Sequence, residues 1–401
     1  MNVTERFLKY VSFETTSDEH SETCPSNPKE FELAKYIVED LKAIGLSDAH
    51  VDDNGYVYAY LPASEGCETV DAIGFIAHMD TSPDAPGKDI KTKQFKYQGG
   101  DIHLDGGLDI SAKEFDLDFY VGQELITTDG TTLLGADDKA GCSEMITAME
   151  YLVEHPEVKH GKIFIGVTPD EEIGRGADLF DLKTFAAKFA FTVDGGRMGE
   201  LEYECFNAAS CKVVVNGLNI HPGSAKNKMK NSILFANEFI NMLPPFETPA
   251  HTEGYEGFYH VAEMSGDETQ TTIGMIIRDH DREKFEERKN TVLHIAQYLN
   301  EKYGQGTFNV TLKDSYYNMR EMIEPHMYII KRAEDALRKE GVEPHCSPIR
   351  GGTDGARLSY MGLPCPNLPT GGENYHSVKE FVSVDAMKQM VNVIVNISKE
   401  Q

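Results

Sequence analysis

The sequence predicts an α/β fold, a mostly parallel sheet with helices packed on both faces. Short apolar runs such as AIGFIA and KIFIGVT alternate with amphipathic helical segments along the chain. These runs lack strict alternation of polar and apolar residues, which is typical of parallel strands that are buried on both faces. Polar clusters that follow several of the runs are a third observation, and they indicate where a site would lie.

The predicted elements follow from length, hydrophobic period and start or stop signals. The first helix begins at Asn27 and Pro28, which can supply the cap and the first turn, and it ends at Gly45. Further helices are predicted at residues 140–153, 324–339 and 384–397. Strands are predicted at residues 56–60, 72–77, 162–168 and 189–193, and residues 366–372 lead from a strand into a loop.

The middle of the chain has a different order of elements. Strands at 212–216, 271–278 and 307–313 alternate with helices at 231–242 and 281–299. This order is typical of a small α+β module inserted into a larger domain. We therefore predict a discontinuous host domain, residues 1–207 and 319–401, and an inserted lid domain, residues 208–318.

The composition excludes several classes of protein. A chain of 401 residues is too long for one ordinary core, so we expect about two domains. The formal charge of −28 is spread along the chain, and a field of this sign repels nucleic acids and anionic membranes. No apolar run approaches the roughly 18 residues of a membrane span, and the N-terminus lacks the apolar core of a signal peptide. Seven scattered cysteines without Cys-x-x-Cys spacing indicate reduced thiols, so we expect a cytoplasmic protein.

His78 and Asp80 follow the apolar run at residues 72–77. Side chains two positions apart on a strand point the same way. One of the two could therefore bind a metal ion while the other orients it from behind. Taken alone, two polar residues that close a buried strand are the commoner explanation.

Four further clusters occupy comparable positions: Asp137–Asp138 before the helix at 140, Glu171–Glu172 after 162–168, Asp194 after 189–193 and His376 after 366–372. Each has an ordinary explanation by itself, such as a helix N-terminal acid, solvated turn charges or a surface histidine. Ligands of open α/β sheets bind outside the carboxyl ends of the strands, so these clusters should converge. Imidazole and carboxylate groups without thiolates suit a paired catalytic zinc site.

Longer motifs carry a resemblance that spans essentially the whole chain. The chain is similar to the tripeptide aminopeptidases of the dinuclear zinc aminoacylase and carboxypeptidase superfamily. The resemblance lies in HMDTSPD, ITTDGTTLLGADDKAG, TPDEEIGRGA, TVDGG, NIHPGSAK, SYYNMRE, IRGGTDGA and GGENYHSVKEF. The clearest departure is Ser377, where the family pattern has glycine after the histidine.

The resemblance implies two zinc ions that share the carboxylate of Asp137, with Co²⁺ or Mn²⁺ as substitutes. Each ion would have two further protein ligands, His78 and Asp194 for one ion and Glu172 and His376 for the other. Asp80 would lie behind His78, and Glu171 would remain off the metals as the general base. A hydroxide shared by the ions would attack the first peptide carbonyl, and Glu171 would pass its proton to the leaving amine.

The expected substrates are tripeptides with a free N-terminus. Arginine suits a substrate carboxylate, and Arg278 and Arg350 are the candidates. His221 resembles the lid histidine that the superfamily brings toward the carbonyl oxygen. The family further suggests a homodimer through the inserted domain. Two alternatives stay open: a carboxypeptidase, dipeptidase or N-acyl amino acid deacylase on the same scaffold, and a non-catalytic metal- or peptide-binding protein.

Overall fold

The structure is a computed structural model, and it describes residues 1–399. The chain divides into two compact units. The first comprises Met1–Tyr203, Glu321–Ser347 and the chain from Thr353 onward, and the second comprises Glu204–Arg320 and Pro348–Gly352. The predicted insertion, residues 208–318, does not include Pro348–Gly352. A bridge between Ile349 and Cys205 joins this segment to the second unit, and no local sequence pattern indicates a contact of that range.

The α-helices within residues 1–399 are α1 (Val3–Tyr10), α2 (Glu30–Ala43), α3 (Ala136–Glu154), α4 (Ser232–Asn241), α5 (Arg282–Tyr303), α6 (Arg320–Ile323), α7 (Tyr328–Lys339), α8 (Asp354–Tyr360) and α9 (Val384–Ser398). None of these helices is long and apolar enough to cross a membrane. The strands are β1 (His50–Val51), β2 (Val57–Leu61), β3 (Ile73–His78), β4 (Thr92–Lys96), β5 (Ile102–His103), β6 (Asp109–Ile110), β7 (Glu124–Thr128), β8 (Ile163–Thr168), β9 (Phe189–Gly195), β10 (Glu200–Leu201), β11 (Asn207–Asn216), β12 (Phe258–Gly266), β13 (Gln270–Asp279), β14 (Phe308–Tyr316), β15 (His345–Cys346), β16 (Asn367–Pro369), β17 (Gly372–Glu373) and β18 (Phe381–Ser383).

The first unit is built on a sheet with the strand order β1-β2-β8-β3-β9-β16. Strands β8, β3, β9 and β16 run parallel to one another, whereas β2 is antiparallel to both β8 and the edge strand β1. Every residue of β3 and β8 is buried. The predicted α/β class with a mostly parallel sheet is confirmed, and the absence of polar alternation reflects burial on both faces.

Helix α3 packs against β3 and β9 on one face of this sheet. The approach is so close that a Cβ atom on Gly141 would lie 1.8 Å from the carbonyl oxygen of Val193. A cluster that includes Ile76, Phe180 and Phe185 covers the opposite face. Both faces of the sheet are therefore buried, and the edge at the strand ends remains for a site.

A smaller antiparallel sheet in the first unit has the order β17-β18-β7-β4. No sequence pattern predicts this sheet, because its strands are short and β4 is largely exposed. Strands β17 and β18 flank residues 374–380, so this sheet positions the loop that contains His376.

The second unit is an antiparallel sheet with the order β12-β13-β11-β14, on which α4 and α5 pack. Buried residues alternate with partly exposed ones along β13, so one face of the sheet lines a core. That core includes Val213, Phe239, Ile273, Phe285 and Leu299. Strands β12 and β14 are the two edges, and most of β12 is exposed.

Candidate metal centre

Three of the predicted site segments meet at the carboxyl ends of neighbouring parallel strands. His78 is the last residue of β3, and Asp194 lies near the end of β9. The 3-10 turn Glu171–Ile173 follows β8. Because β8, β3 and β9 are adjacent, the side chains at their ends come together at one edge of the sheet.

Asp137 and His376 reach the same place from less regular backbone. Asp137 has φ −82° and ψ 103° and Asp138 has φ −122° and ψ 35°, so the regular part of α3 begins after this pair. His376 has φ +59°. A positive φ is uncommon outside glycine, and residues held there cluster at functional sites. Ser377, the departure from the family pattern, accepts a hydrogen bond at Oγ from the N–H of Lys379 at 3.1 Å.

The side chains form two groups of potential metal ligands that share Asp137. The first group is His78, Asp137 and Asp194, and the second is Asp137, Glu172 and His376. Within each group the ligand atoms all lie within 4.8 Å of one another. Asp137 places Oδ1 at 2.9 Å from Nε2 of His78 and Oδ2 at 3.3 Å from Nε2 of His376. Each of its oxygens thus belongs to a different group.

Negative charge is concentrated at these groups. Burial and the neighbouring Asp137 raise the pKa of Glu172 to about 8. Burial raises the pKa of Asp194 to about 6, although His78 opposes the shift. Hydrogen bonds to Asp137 and Glu172 raise the pKa of His376 to about 11. The acids repel one another and recruit protons onto the imidazoles.

Divalent cations fit this arrangement better than protons do. Imidazole nitrogens and carboxylate oxygens are the donors of catalytic zinc sites, and three protein ligands per ion leave a position open for a reactant. Asp137 can serve both ions because its two oxygens face opposite groups. A cation in each group would also relieve the repulsion between Glu172 and Asp137.

Asp80 supports both the histidine and the acidic pair. It is fully buried. Its Oδ1 lies 3.3 Å from Nδ1 of His78. The same carboxylate accepts hydrogen bonds from the N–H groups of Glu171 at 3.0 Å and Glu172 at 3.1 Å. Asp80 thus links the end of β3 to the turn after β8.

Glu171 lies beside the two groups but belongs to neither. It lines a small cavity together with His78, Thr168, Asp194 and Asp354. Burial raises the pKa of the Glu171 carboxyl well above its usual range, and the nearby carboxylates act in the same direction. The Glu171 carboxyl therefore lies outside both ligand groups but beside His78 and Asp194, which belong to one of them.

Asp354 and Asp84 are acidic residues of this site that the sequence pattern does not single out. Asp354 is buried at the start of α8 and accepts a hydrogen bond from Oγ1 of Thr168 at 2.9 Å. Asp84 has Oδ2 at 3.1 Å from Nδ1 of His376, which places a carboxylate behind the second histidine. Both residues lie inside the motifs that carry the resemblance, and that was the available signal.

The predicted substrate-binding residues all lie in the second unit. His221 precedes the 3-10 turn Pro222–Ser224 and is exposed; its Nδ1 accepts from the N–H of Gly223 at 3.2 Å. Arg278 lies in β13, where its guanidinium is 5.5 Å from the ring centre of Tyr316.

Arg350 has both terminal guanidinium nitrogens engaged inside the second unit. Nη1 donates to the carbonyl oxygens of Gly254 at 2.8 Å and Glu256 at 2.9 Å, and Nη2 donates to Oγ1 of Thr252 at 2.9 Å. A substrate carboxylate would have to displace these contacts or use Nε. A direct role in substrate binding stays a prediction for this residue.

The chain is similar to known peptidases in sequence and in fold. The family described as "Peptidase family M20/M25/M40" matches residues 128–400. The chain is 55% identical over 399 residues to peptidase T of Caldanaerobacter subterraneus subsp. tengcongensis, across 98% of this chain and 97% of the relative.

Two solved structures share the fold. An aminopeptidase PepT from Bacillus cereus has a TM-score of 0.78 at 23% identity, across 99% of this chain and 97% of that one. A tripeptidase from Staphylococcus aureus has a TM-score of 0.78 at 21% identity, with the same coverage of 99% and 97%. The family match and the full-length relative together establish that this chain belongs to the M20/M25/M40 peptidase family.

Proposed function

We propose that this peptidase removes the N-terminal residue from tripeptides with the help of two metal ions. The observation that supports this most is the pair of ligand groups that share Asp137, with the carboxyl of Glu171 beside them. The relative with 55% identity is named peptidase T, and one structural neighbour is described as a tripeptidase. These names favour a short peptide as the substrate.

In this proposal His78, Asp194 and Asp137 would hold one ion, and Glu172, His376 and Asp137 would hold the other. Zinc is the expected metal, and Co²⁺ or Mn²⁺ could replace it because they accept the same donors. Bound ions of this kind lower the pKa of the attacking water and polarise the peptide carbonyl. Asp80 would keep the His78 imidazole oriented through the contact at Nδ1.

Glu171 is the proposed general base and acid. To accept a proton it must be ionised, and burial alone works against that by raising its pKa. Positive charge in the neighbouring ligand groups would lower the pKa again. Glu171 would then accept a proton from the attacking water and donate it to the nitrogen of the leaving amine. Asp80 fixes the backbone of Glu171 during both transfers.

Substrate length would be set by the second unit. We propose that Arg278 binds the C-terminal carboxylate of the peptide and that His221 contacts the carbonyl oxygen at the scissile bond. The same unit would form a homodimer through the exposed edge strand β12.

The experiment that tests this function compares free and N-acetylated peptides of two, three and four residues. The protein is stripped with a chelator, restored with Zn²⁺ and assayed for release of the first residue. We expect turnover of the free tripeptide above all others and none by the stripped protein. Preferential cleavage of the N-acetylated peptides would favour a deacylase or carboxypeptidase instead. Peptide binding without turnover after zinc addition would favour a non-catalytic binding protein.

A further inference from the structure

Glu380 is a buried carboxylate that contacts the polypeptide leading into Asp137. It is 1% exposed. Its Oε2 accepts hydrogen bonds from the N–H groups of Leu134 at 2.6 Å and Gly135 at 2.9 Å. Its Oε1 accepts from the N–H of Asp137 at 3.1 Å. One side chain therefore satisfies three backbone donors, two just before the residue that both ligand groups share and one on that residue itself.

A carboxylate suits this place because it has two acceptor oxygens, no donor and a negative charge. Gly135 has φ +76°, which turns the chain so that closely spaced N–H groups converge on one anion. Leu133, which comes before the first of the three donors, donates its own N–H to the carbonyl oxygen of Pro86 instead. The three donors that meet Glu380 thus form a separate, local anion-binding loop.

Glu380 is also joined to the loop of His376. Its backbone N–H donates to the carbonyl oxygen of Ser377 at 3.1 Å, which closes a tight turn over residues 377–380, directly after the histidine. The side chain then extends from this turn to the loop of Asp137. The segments that supply His376 and Asp137 are therefore connected through a single residue.

We propose that Glu380 is a positioning residue that holds the Asp137 carboxylate between the two ligand groups. This inference rests on the two-metal function proposed above. Asp137 must present one oxygen toward His78 and the other toward His376, at the observed 2.9 Å and 3.3 Å. A rotation of the Asp137 backbone would separate it from one histidine, and Glu380 opposes that rotation at the N–H.

The test is Glu380→Gln, which keeps the size of the side chain but replaces one acceptor oxygen with an NH₂ donor. The control is Glu144→Gln. Glu144 is also fully buried, lies in α3 outside both ligand groups, and has no hydrogen-bond partner at either carboxyl oxygen within residues 1–399. Each variant is stripped of metal, checked for folding by circular dichroism and titrated with Co²⁺ by calorimetry. Electron paramagnetic resonance then reports whether the two Co²⁺ ions are magnetically coupled through a bridging ligand.

We expect Glu380→Gln to weaken binding of the second Co²⁺ at least tenfold and to abolish the magnetic coupling, while Glu144→Gln changes neither. Coupled ions with wild-type affinities in Glu380→Gln would overturn the inference. If Glu380→Gln does not fold, Glu380→Asp is measured in the same way, since it keeps the charge but is one methylene shorter. Wild-type coupling in Glu380→Asp would equally overturn it. A wild-type protein that binds only one Co²⁺ would instead refute the two-metal function itself.

Discussion

At the scale of single residues, the Asp80 carboxylate contacts two parts of the site that belong to separate sequence motifs, the His78 imidazole and the backbone of the Glu171–Glu172 pair. The family resemblance implies that Asp80 lies behind His78. In the structure the same carboxylate also accepts hydrogen bonds from the N–H groups of Glu171 and Glu172. A change at Asp80 should therefore disturb the proposed base as well as a proposed metal ligand.

Asp80→Ala is expected to lower kcat more than it lowers metal affinity. Loss of an outer partner of this kind costs about 10- to 100-fold, and here the turn that holds Glu171 is released as well. We expect kcat near the upper end of that loss and a smaller change in the Zn²⁺ dissociation constant, measured by chelator competition. Asp84→Ala is the control, since its carboxylate contacts His376 but is 68% exposed. If Asp80→Ala instead lost its bound metal while kcat per bound metal ion stayed at the wild-type value, the result would contradict this expectation.

The sequence identified residues that follow strands, and it missed residues whose contacts join distant segments. His78, Glu171, Glu172 and Asp194 stand at strand ends, and the parallel sheet brings such ends together. Asp354 contacts Thr168 across 186 residues, and Glu380 contacts Asp137 across 243. No local period or spacing indicates contacts of that range.

At the scale of elements, the long buried segments were predictable and the short or exposed ones were not. Predicted strand 162–168 corresponds to β8, and predicted helix 384–397 corresponds to α9. Helix α1 was missed because it has only eight residues, and it depends on a capping box between Asn2 and Glu5. Strand β12 was missed because most of its residues are exposed, so it lacks an alternating pattern.

Strand β13 positions Arg278, and the length preference should depend on that side chain. Arg278→Ala is expected to reduce kcat/KM for tripeptides by about 100-fold, the cost of one charge-assisted contact of roughly 3 kcal/mol. Cleavage of dipeptides and tetrapeptides should fall much less. Lys212→Ala on the neighbouring strand β11 is the control, because it removes an exposed charge from the same sheet. An unchanged preference for tripeptides in Arg278→Ala would refute the proposed role.

The proposed dimer should depend on the exposed apolar residues of the second unit. Leu234 is 65% exposed on α4 and Met264 is 49% exposed on β12. The double variant Leu234→Asp and Met264→Asp is expected to be a monomer in light scattering coupled to gel filtration, while the wild type has twice the monomer mass. Leu179→Asp changes a residue of the first unit with the same 49% exposure and should remain dimeric. A dimeric double variant would contradict the proposed interface.

At the scale of the whole molecule, a buried acid should make stability depend on pH. Burial raises the pKa of Glu144 well above its ordinary value of 4.5. Between the unfolded and folded pKa values the folded state binds more protons, so the free energy of unfolding falls as pH rises. Relative to the wild type, Glu144→Gln should gain stability from about pH 5 upward, by at most about 1.4 kcal/mol per pH unit. Thermal unfolding of the metal-free proteins at pH 5 and pH 8 measures this, and a pH-independent difference would contradict it.

The most direct test of the proposed function is a Zn²⁺ titration of the stripped protein, in which bound metal and tripeptide turnover are measured together. We expect turnover to reach its maximum at two Zn²⁺ per chain. Glu171→Gln should bind the same two ions, yet turn over about 10²- to 10⁴-fold more slowly, because only proton transfer is removed. Saturation at one ion, or wild-type turnover by Glu171→Gln, would contradict a two-metal peptidase with Glu171 as its base.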